Sequence, residues 1–422
     1  MISAWTTGGC IGTRWIVVWA LVLCLDTALP PSAQRSIRPA LRALGTSLLV
    51  LILGSVLAPT AAARELTPEQ LAGQRIVYAF QGPTPPPALL TRIRRGHAGA
   101  VILFGGNVQS ERQVRTLVDR LQAIPRPAGL REPLLVMVDQ EGGPVRRLPG
   151  GPEPSAAMIG AQADVARAEA AGRVAGRVLG DVGANVNLAP VVDVPRPGTA
   201  IEREGRAFSR DPERVARMAA AYVDGLWLTG VAAAAKHFPG LGPSPANTDD
   251  RSVTLDVTRD DLRRIDEQPF AELIEREIPM IMLSTAIYPA LDSRPAALSR
   301  PIATNDLRRR LGFTGVSISD ALDTPALEDF GDVGQTAVAS ARAGTDMLIY
   351  ATEYSAGDRA ATALAEAIRQ GSVTRESAVG SVSRILALRQ GYREGVGLDR
   401  VPSAADAWTT SRAASALSSL GW

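Results

Sequence analysis

From Ile76 onward, short apolar β-rich runs alternate eight times with longer stretches of helical periodicity. A chain that alternates in this way builds a parallel sheet with crossover helices, because each parallel strand has to be re-started from the same end of the sheet. The spacing predicts strands at Ile76–Phe80, Ala100–Phe104, Leu134–Val138, Asn185–Val192, Val231–Lys236, Met280–Ser284, Val316–Ser319 and Met347–Tyr350. Eight such strands suggest closure, so the expected fold class is α/β, a (β/α)8 TIM barrel forming a single catalytic domain. Helix start signals fall between the strands. Ser110 caps Glu111 to Ile124, Asp211 opens a helix to Leu228, and Thr258 with Asp260 and Asp261 opens one to about Glu277. Thr304 and Asn305 are expected to cap Asp306 to Leu311. Asp358–Arg369 and Arg375–Arg389 would complete the outer ring.

Composition narrows the function. The 45 Lys+Arg residues against 43 Asp+Glu leave a net charge of +2, which argues against a nucleic-acid binder of the basic-patch type. All but one of the basic residues are Arg. The exception is Lys236, and one of only two histidines, His237, follows it directly; the other is His97. Arg and Lys are nearly interchangeable on a solvated surface, so a single retained Lys hints at a place that needs a compact ammonium. The two cysteines, Cys10 and Cys24, both lie near the N-terminus, which excludes a disulfide framework or a Cys-bearing metal site in the body. The turns at Gly105-Gly106-Asn107 and Gly142-Gly143 open neither a P-loop nor a dinucleotide fingerprint. No cofactor and no metal are expected.

The first 63 residues look like targeting sequence. Arg35, Arg38 and Arg42 precede the apolar run Leu48–Leu53, and Pro59 and Ala61-Ala62-Ala63 follow it. This is the layout of a secretory signal peptide with cleavage after Ala63. An earlier apolar stretch, Trp15–Leu25, is shorter than the roughly 20 residues that span a bilayer. Two accounts of it stand: a start upstream of the true signal, or an N-terminal extension with a retained anchor. The body is expected to be exported, with membrane association only through such an anchor. The resulting organisation is residues 1–63 as extension and signal, 64–396 as the barrel, and 397–422 as a Ser/Ala-rich, weakly patterned tail.

In a closed (β/α)8 barrel the chemistry lies at the C-terminal ends of the strands. The polar residues there are Asp139 after strand three, Asp193 after strand four, Lys236 and His237 at strand five, Ser284 and Thr285 at strand six, and Asp320 at strand seven. Any one of them could be a helix cap or a packed polar group. Carboxylates gathered near a cation are what glycosidic bond cleavage requires, one to attack or stabilise the anomeric carbon and another group to move the proton.

These residues sit in segments that resemble glycoside hydrolase family 3, in its single-barrel β-N-acetylhexosaminidase-like branch. The matching segments run from about Ile76 to Leu388. They include Asp139-Gln140-Glu141-Gly142-Gly143, Asn185–Val194, Gly205-Arg206-Ala207-Phe208, Lys236-His237-Phe238-Pro239-Gly240 and Gly315–Leu322. The resemblance implies a retaining hydrolase that releases a terminal β-linked sugar such as N-acetylglucosamine, with Asp320 as the nucleophile. It also implies sugar binding by Asp139, Arg147, Arg206, Lys236 and His237. The expected partner is a small carbohydrate or peptidoglycan fragment, and the expected state is a monomer.

One loop departs from the family pattern. The branch carries an Asp-Ser/Thr-His dyad after strand five, its His serving as acid/base; here Asn247 stands in place of the Asp and Asp249 in place of the His. Three readings stay open. Asp249 or Asp250 carries the proton as a carboxylic acid, or the protein is a specialised member needing an activated leaving group, or it is a non-catalytic sugar-binding barrel. Asn247 and Thr248 also read as ordinary turn residues. From a different class, Lys236 at a strand end would suit a Schiff-base lyase. The N-terminal reading has a direct check: protein recovered outside the cytoplasm should begin at Arg64 and titrate no thiol, whereas a retained Cys10 or Cys24 would refute cleavage after Ala63.

Overall fold

A computed structural model of the protein describes residues 66–393; the proposed signal and the tail beyond 396 lie outside the described residues. Eight strands close into one all-parallel barrel: β1 Ile76–Tyr78, β2 Ala100–Leu103, β3 Leu135–Val138, β4 Val186–Asn187, β5 Ala232–Phe238, β6 Met280–Leu283, β7 Val316–Ala321 and β8 Met347–Tyr350. Each strand pairs with its successor, and β1 pairs with β8 through Ile76↔Leu348, Val77↔Ile349 and Tyr78↔Tyr350. All eight predicted strands are present. Their lengths shift by a few residues, most at the fourth, where the ladder is brief and the chain turns away after Asn187.

The strands read as unbroken apolar runs because both faces are buried. Alternate residues then divide between two cores. Val77, Ile102, Met137, Val186, Ala234, Met282, Ile318 and Ile349 fill the barrel interior, while Ile76, Val101, Val136, Ala235, Ile281 and Leu348 pack beneath the helices. Ser110, Asp211 and Thr258 cap their helices through backbone N–H groups two or three residues on, as their positions predict. The segment after Thr258 is less regular than predicted, winding from Arg259–Asp261 through a wider turn at Leu262–Asp266 before Gln268–Glu275. The helix expected from Asp306 instead begins at Pro301. Thr304 donates its hydroxyl to the Ala343 carbonyl at 2.6 Å and caps nothing.

The last helix, Arg375–Arg393, closes the base of the barrel. Ile385 and Leu388 join the interior core. Arg384 donates to the wholly buried Asp346, with Nη2–Oδ1 at 2.7 Å, and Arg308 pairs with the same carboxylate. Arg75, just before β1, donates to the Asp346 and Thr345 carbonyls at 3.0 and 2.7 Å. Arg389 is buried and donates to the Pro133 and Glu132 carbonyls at 2.7 and 2.5 Å. Asp346 thus ties β8, the last helix and the Pro301–Arg310 helix to one point. Asp346→Ala would strand two guanidinium groups and should cost about 3–5 kcal/mol in urea unfolding; a loss below about 1 kcal/mol would show that the clasp does not hold the base.

Candidate active site

The strand ends open on a cavity of about 420 Å³. Ile102, Leu188, Met282 and Ile349 form its apolar floor, and all seven candidate residues, Asp139, Arg147, Arg206, Lys236, His237, Asp249 and Asp320, line its walls. They arrive from far apart in the chain. Asp139 follows β3, Lys236 and His237 belong to β5, and Asp320 lies in β7. Arg147 directly follows a small antiparallel ribbon, Gln140–Gly142 with Val145–Arg146. Gln140 fixes that ribbon, its side chain accepting from the Arg147 and Leu148 N–H groups at 3.1 Å each.

Lys236 is the electrostatic centre. Its Nζ lies 2.6 Å from Asp139 Oδ1 and 2.8 Å from Glu141 Oε1. Glu141 also receives two parallel bonds from Arg206, Nε–Oε2 at 2.9 Å and Nη2–Oε1 at 2.8 Å. Arg147 Nη2 stands 4.0 Å from Asp139 Oδ2. Desolvation pulls the Lys236 ammonium toward neutrality, but Asp139 and Glu141 outweigh it and hold the group charged. A lysine held as ammonium is the opposite of the free amine that a Schiff base needs. Among the described residues no ion pair joins Lys236 to Asp320; the ammonium's direct partners are Asp139 and Glu141.

Glu141 escaped the sequence reading. It lay in plain view in Asp-Gln-Glu-Gly-Gly, but its function depends on Arg206 and Lys236, which only the fold brings to it. Burial raises its carboxyl, yet Arg206 and Lys236 prevail and leave it well below the usual carboxylate range. Asp193, one of the strand-end residues, lies beneath the cavity wall and bonds His237 Nδ1 at 2.7 Å. Ser284 is buried, with its hydroxyl accepting from the Ala286 N–H at 2.9 Å, and does not reach the cavity.

The loop after β5 leaves through Phe238-Pro239-Gly240 and returns over the cavity, where Leu241, Asn247, Thr248 and Asp249 line it. Gly240 has φ +138, and a Cβ there would meet Asp266 Cβ at 2.5 Å, so this close approach requires glycine. Asn247 Oδ1 accepts from the Asp249 N–H at 3.0 Å, an Asx turn that sets the backbone of Asp249. Asp249 sits on the rim, open to solvent on one side and walled in on the other. That enclosure first, and then the nearby Asp320 charge, push its carboxyl up to about 6, against the pull of the Arg206 guanidinium. Water at the open side screens these fields, so the upward direction and the identity of the neighbour carry the chemistry. Asp320 Oδ1 accepts from the Ala321 N–H at 2.8 Å, which leaves Oδ2 to the cavity.

Acetal cleavage asks for two carboxyl groups in one pocket, one of them retaining its proton closer to neutrality, and this cavity brings Asp249 and Asp320 together in that way. Residues 85–388 match the N-terminal domain of glycosyl hydrolase family 3, and the chain belongs to that family. It is 37% identical over 326 residues to an uncharacterized secreted glycosyl hydrolase of Arthroderma benhamiae, covering 75% of this chain and 92% of the fungal one. It is 31% identical to β-hexosaminidase A of Pseudoalteromonas piscicida, covering 78% of this chain and 62% of that protein. Among solved structures, a family 3 β-N-acetylglucosaminidase from Paenibacillus sp. superposes with TM-score 0.73 at 33% identity, over 77% of this chain and 62% of that one. A β-N-acetylhexosaminidase from Beutenbergia cavernae gives 0.71 at 32%, over 77% and 99%. The chain therefore spans nearly all of some relatives and less than two thirds of others.

The Glu141 arrangement makes a pH prediction. Its folded carboxyl titrates below its unfolded value of about 4.3, so its contribution is complete above that pH and is lost as pH falls toward the folded value. Unfolding free energies from urea melts between pH 5 and 3 should fall more steeply for the wild type than for Glu141→Gln. The gap should approach about 1.4 kcal/mol per pH unit at most, and equal slopes would contradict the assignment.

Proposed function

We propose that the protein is an exported, retaining β-N-acetylhexosaminidase that removes a terminal β-linked N-acetylglucosamine-type sugar. Asp320 acts as nucleophile and Asp249 as the acid/base. The observation that carries this reading is the presence of Asp249 and Asp320 in one cavity, close enough for the charge of one to raise the proton affinity of the other.

In the first half-reaction the free Oδ2 of Asp320 attacks the anomeric carbon as the glycosidic C–O bond breaks, and Asp249 gives its proton to the departing oxygen. The product is a sugar ester on Asp320, which carries no charge. The Asp320 charge, the second of the two influences that raised Asp249, is then gone, and its carboxyl moves part of the way toward ordinary acidity. It is now suited to take a proton from water, whose oxygen attacks the anomeric carbon and frees Asp320. One carboxylate thus adjusts the proton affinity of the other between the two stages, on top of the burial that raises it throughout. Asp139, Arg147, Arg206, Lys236 and His237 hold the sugar through acceptors and N–H donors matched to its hydroxyl and amide groups. The relatives' names support hexosamine as the sugar. The fungal relative's description as secreted supports export, as do the arginines and apolar run before Ala63.

Asp320→Ala should abolish turnover of an aryl β-N-acetylglucosaminide, and retained turnover would sink the mechanism. Asp249→Ala should slow poor leaving groups by about 10²–10⁴ while sparing activated aryl ones, with azide restoring rate. In the wild type the acid must be protonated, so kcat/KM on poor leaving groups should decline as pH rises through about 6. An equal loss on both substrate classes, or a limb unchanged in Asp249→Asn, would remove Asp249 from the role.

A further inference from the structure

Asp193 is wholly buried and has no part in the chemistry above, yet three donors converge on it. Oδ2 lies 2.7 Å from His237 Nδ1, and Oδ1 accepts from the backbone N–H of His237 at 3.2 Å and of Leu241 at 2.6 Å. A carboxylate offers only acceptors, so the proton between Asp193 and the ring belongs to Nδ1. In a neutral imidazole that leaves Nε2 with a lone pair, and His237 is a wall residue of the cavity. Lys236, Arg206 and Arg147 are donors without acceptor capacity. Every sugar hydroxyl also carries a proton that needs an acceptor.

We propose that Asp193 is a positioning residue that locks His237 in its Nδ1–H form, so that Nε2 accepts a hydrogen bond from one hydroxyl of the bound sugar. Through Oδ1 the same carboxylate ties down Leu241, near the start of the loop that carries Asp249. One buried side chain thereby registers a sugar-binding group and the acid/base loop to a common point. The inference rests on the reading of the cavity as a sugar site.

Asp193→Asn changes the proton logic with little change of shape. The two backbone N–H groups hold the amide oxygen at the Oδ1 position, which turns the NH2 toward Nδ1. The ring must then accept at Nδ1 and carry its proton on Nε2. The chain has only two histidines, so 15N-histidine labelling of the untagged protein gives two imidazole patterns to assign. For wild-type His237 at neutral pH the expected result is a protonated Nδ1 and an unprotonated Nε2, with the reverse in Asp193→Asn. In parallel, monodeoxy aryl glycosides should reveal one ring position whose hydroxyl matters most, and its removal should cost the wild type about 10- to 100-fold in kcat/KM and the variant clearly less.

A wild-type ring protonated on Nε2, or on both nitrogens, would overturn the proposal even if Asp193→Asn failed to fold. An unchanged deoxy penalty in the variant would overturn the link to substrate. The expected ring state without turnover of any β-glycoside would instead retire the hydrolase mechanism and leave the assignment of His237 standing.

Discussion

A lone ammonium is held almost dry inside the mouth of the barrel, and the site is arranged around the cost of keeping it there. Removing Lys236 from water is unfavourable by several kcal/mol unless opposite charge replaces the lost hydration. Asp139 and Glu141 supply that charge, but two carboxylates for one cation leave an excess, which Arg206 cancels through its paired bonds to Glu141. Each member is therefore oriented by the others before any sugar arrives. Such preorganisation spares the bound state the entropy of ordering several long side chains. It also explains why an ammonium stands here in a chain otherwise written in Arg: Nζ reaches two carboxylates from a single compact point, which a planar guanidinium would have to straddle.

Much of the fold was legible because a closed parallel barrel buries both faces of every strand, and that leaves an unmistakable record of apolar runs such as Val316–Ser319. The helices were less readable. Val165–Asp181 has no strong apolar stripe, since it packs through small residues: Gly172 and Gly176 face Tyr222 and Thr229, and Gly225 of the opposing helix faces Glu169. A Cβ at Gly172 would stand 2.0 Å from the Tyr222 carbonyl oxygen, so the two backbones approach more closely than any larger side chain allows. Periodicity detects bulk, and here the packing signal is its absence.

The site divides along a similar line. Residues placed at a strand end, namely Asp139, Asp193, Lys236, His237 and Asp320, could be found from position alone. What Glu141 and Asp193 touch across the fold, Arg206 with Lys236 and His237 with Leu241, is information that one-dimensional spacing does not carry. Asn247 is the intermediate case: its turn-forming character was readable from Asn-Thr-Asp-Asp, while the consequence, an Asp249 backbone fixed at the cavity rim, depended on where the loop lands.

The last helix gives the cavity a geometry that shapes traffic as well as chemistry. Because Ile385 and Leu388 plug the barrel beneath an apolar floor, the pit is blind. On the proposed reading a sugar enters and leaves by the one mouth at the strand ends, so a released sugar departs along the route by which the next one arrives. The packing at the base of the barrel thereby leaves all exchange with solvent to the face that carries the reacting groups.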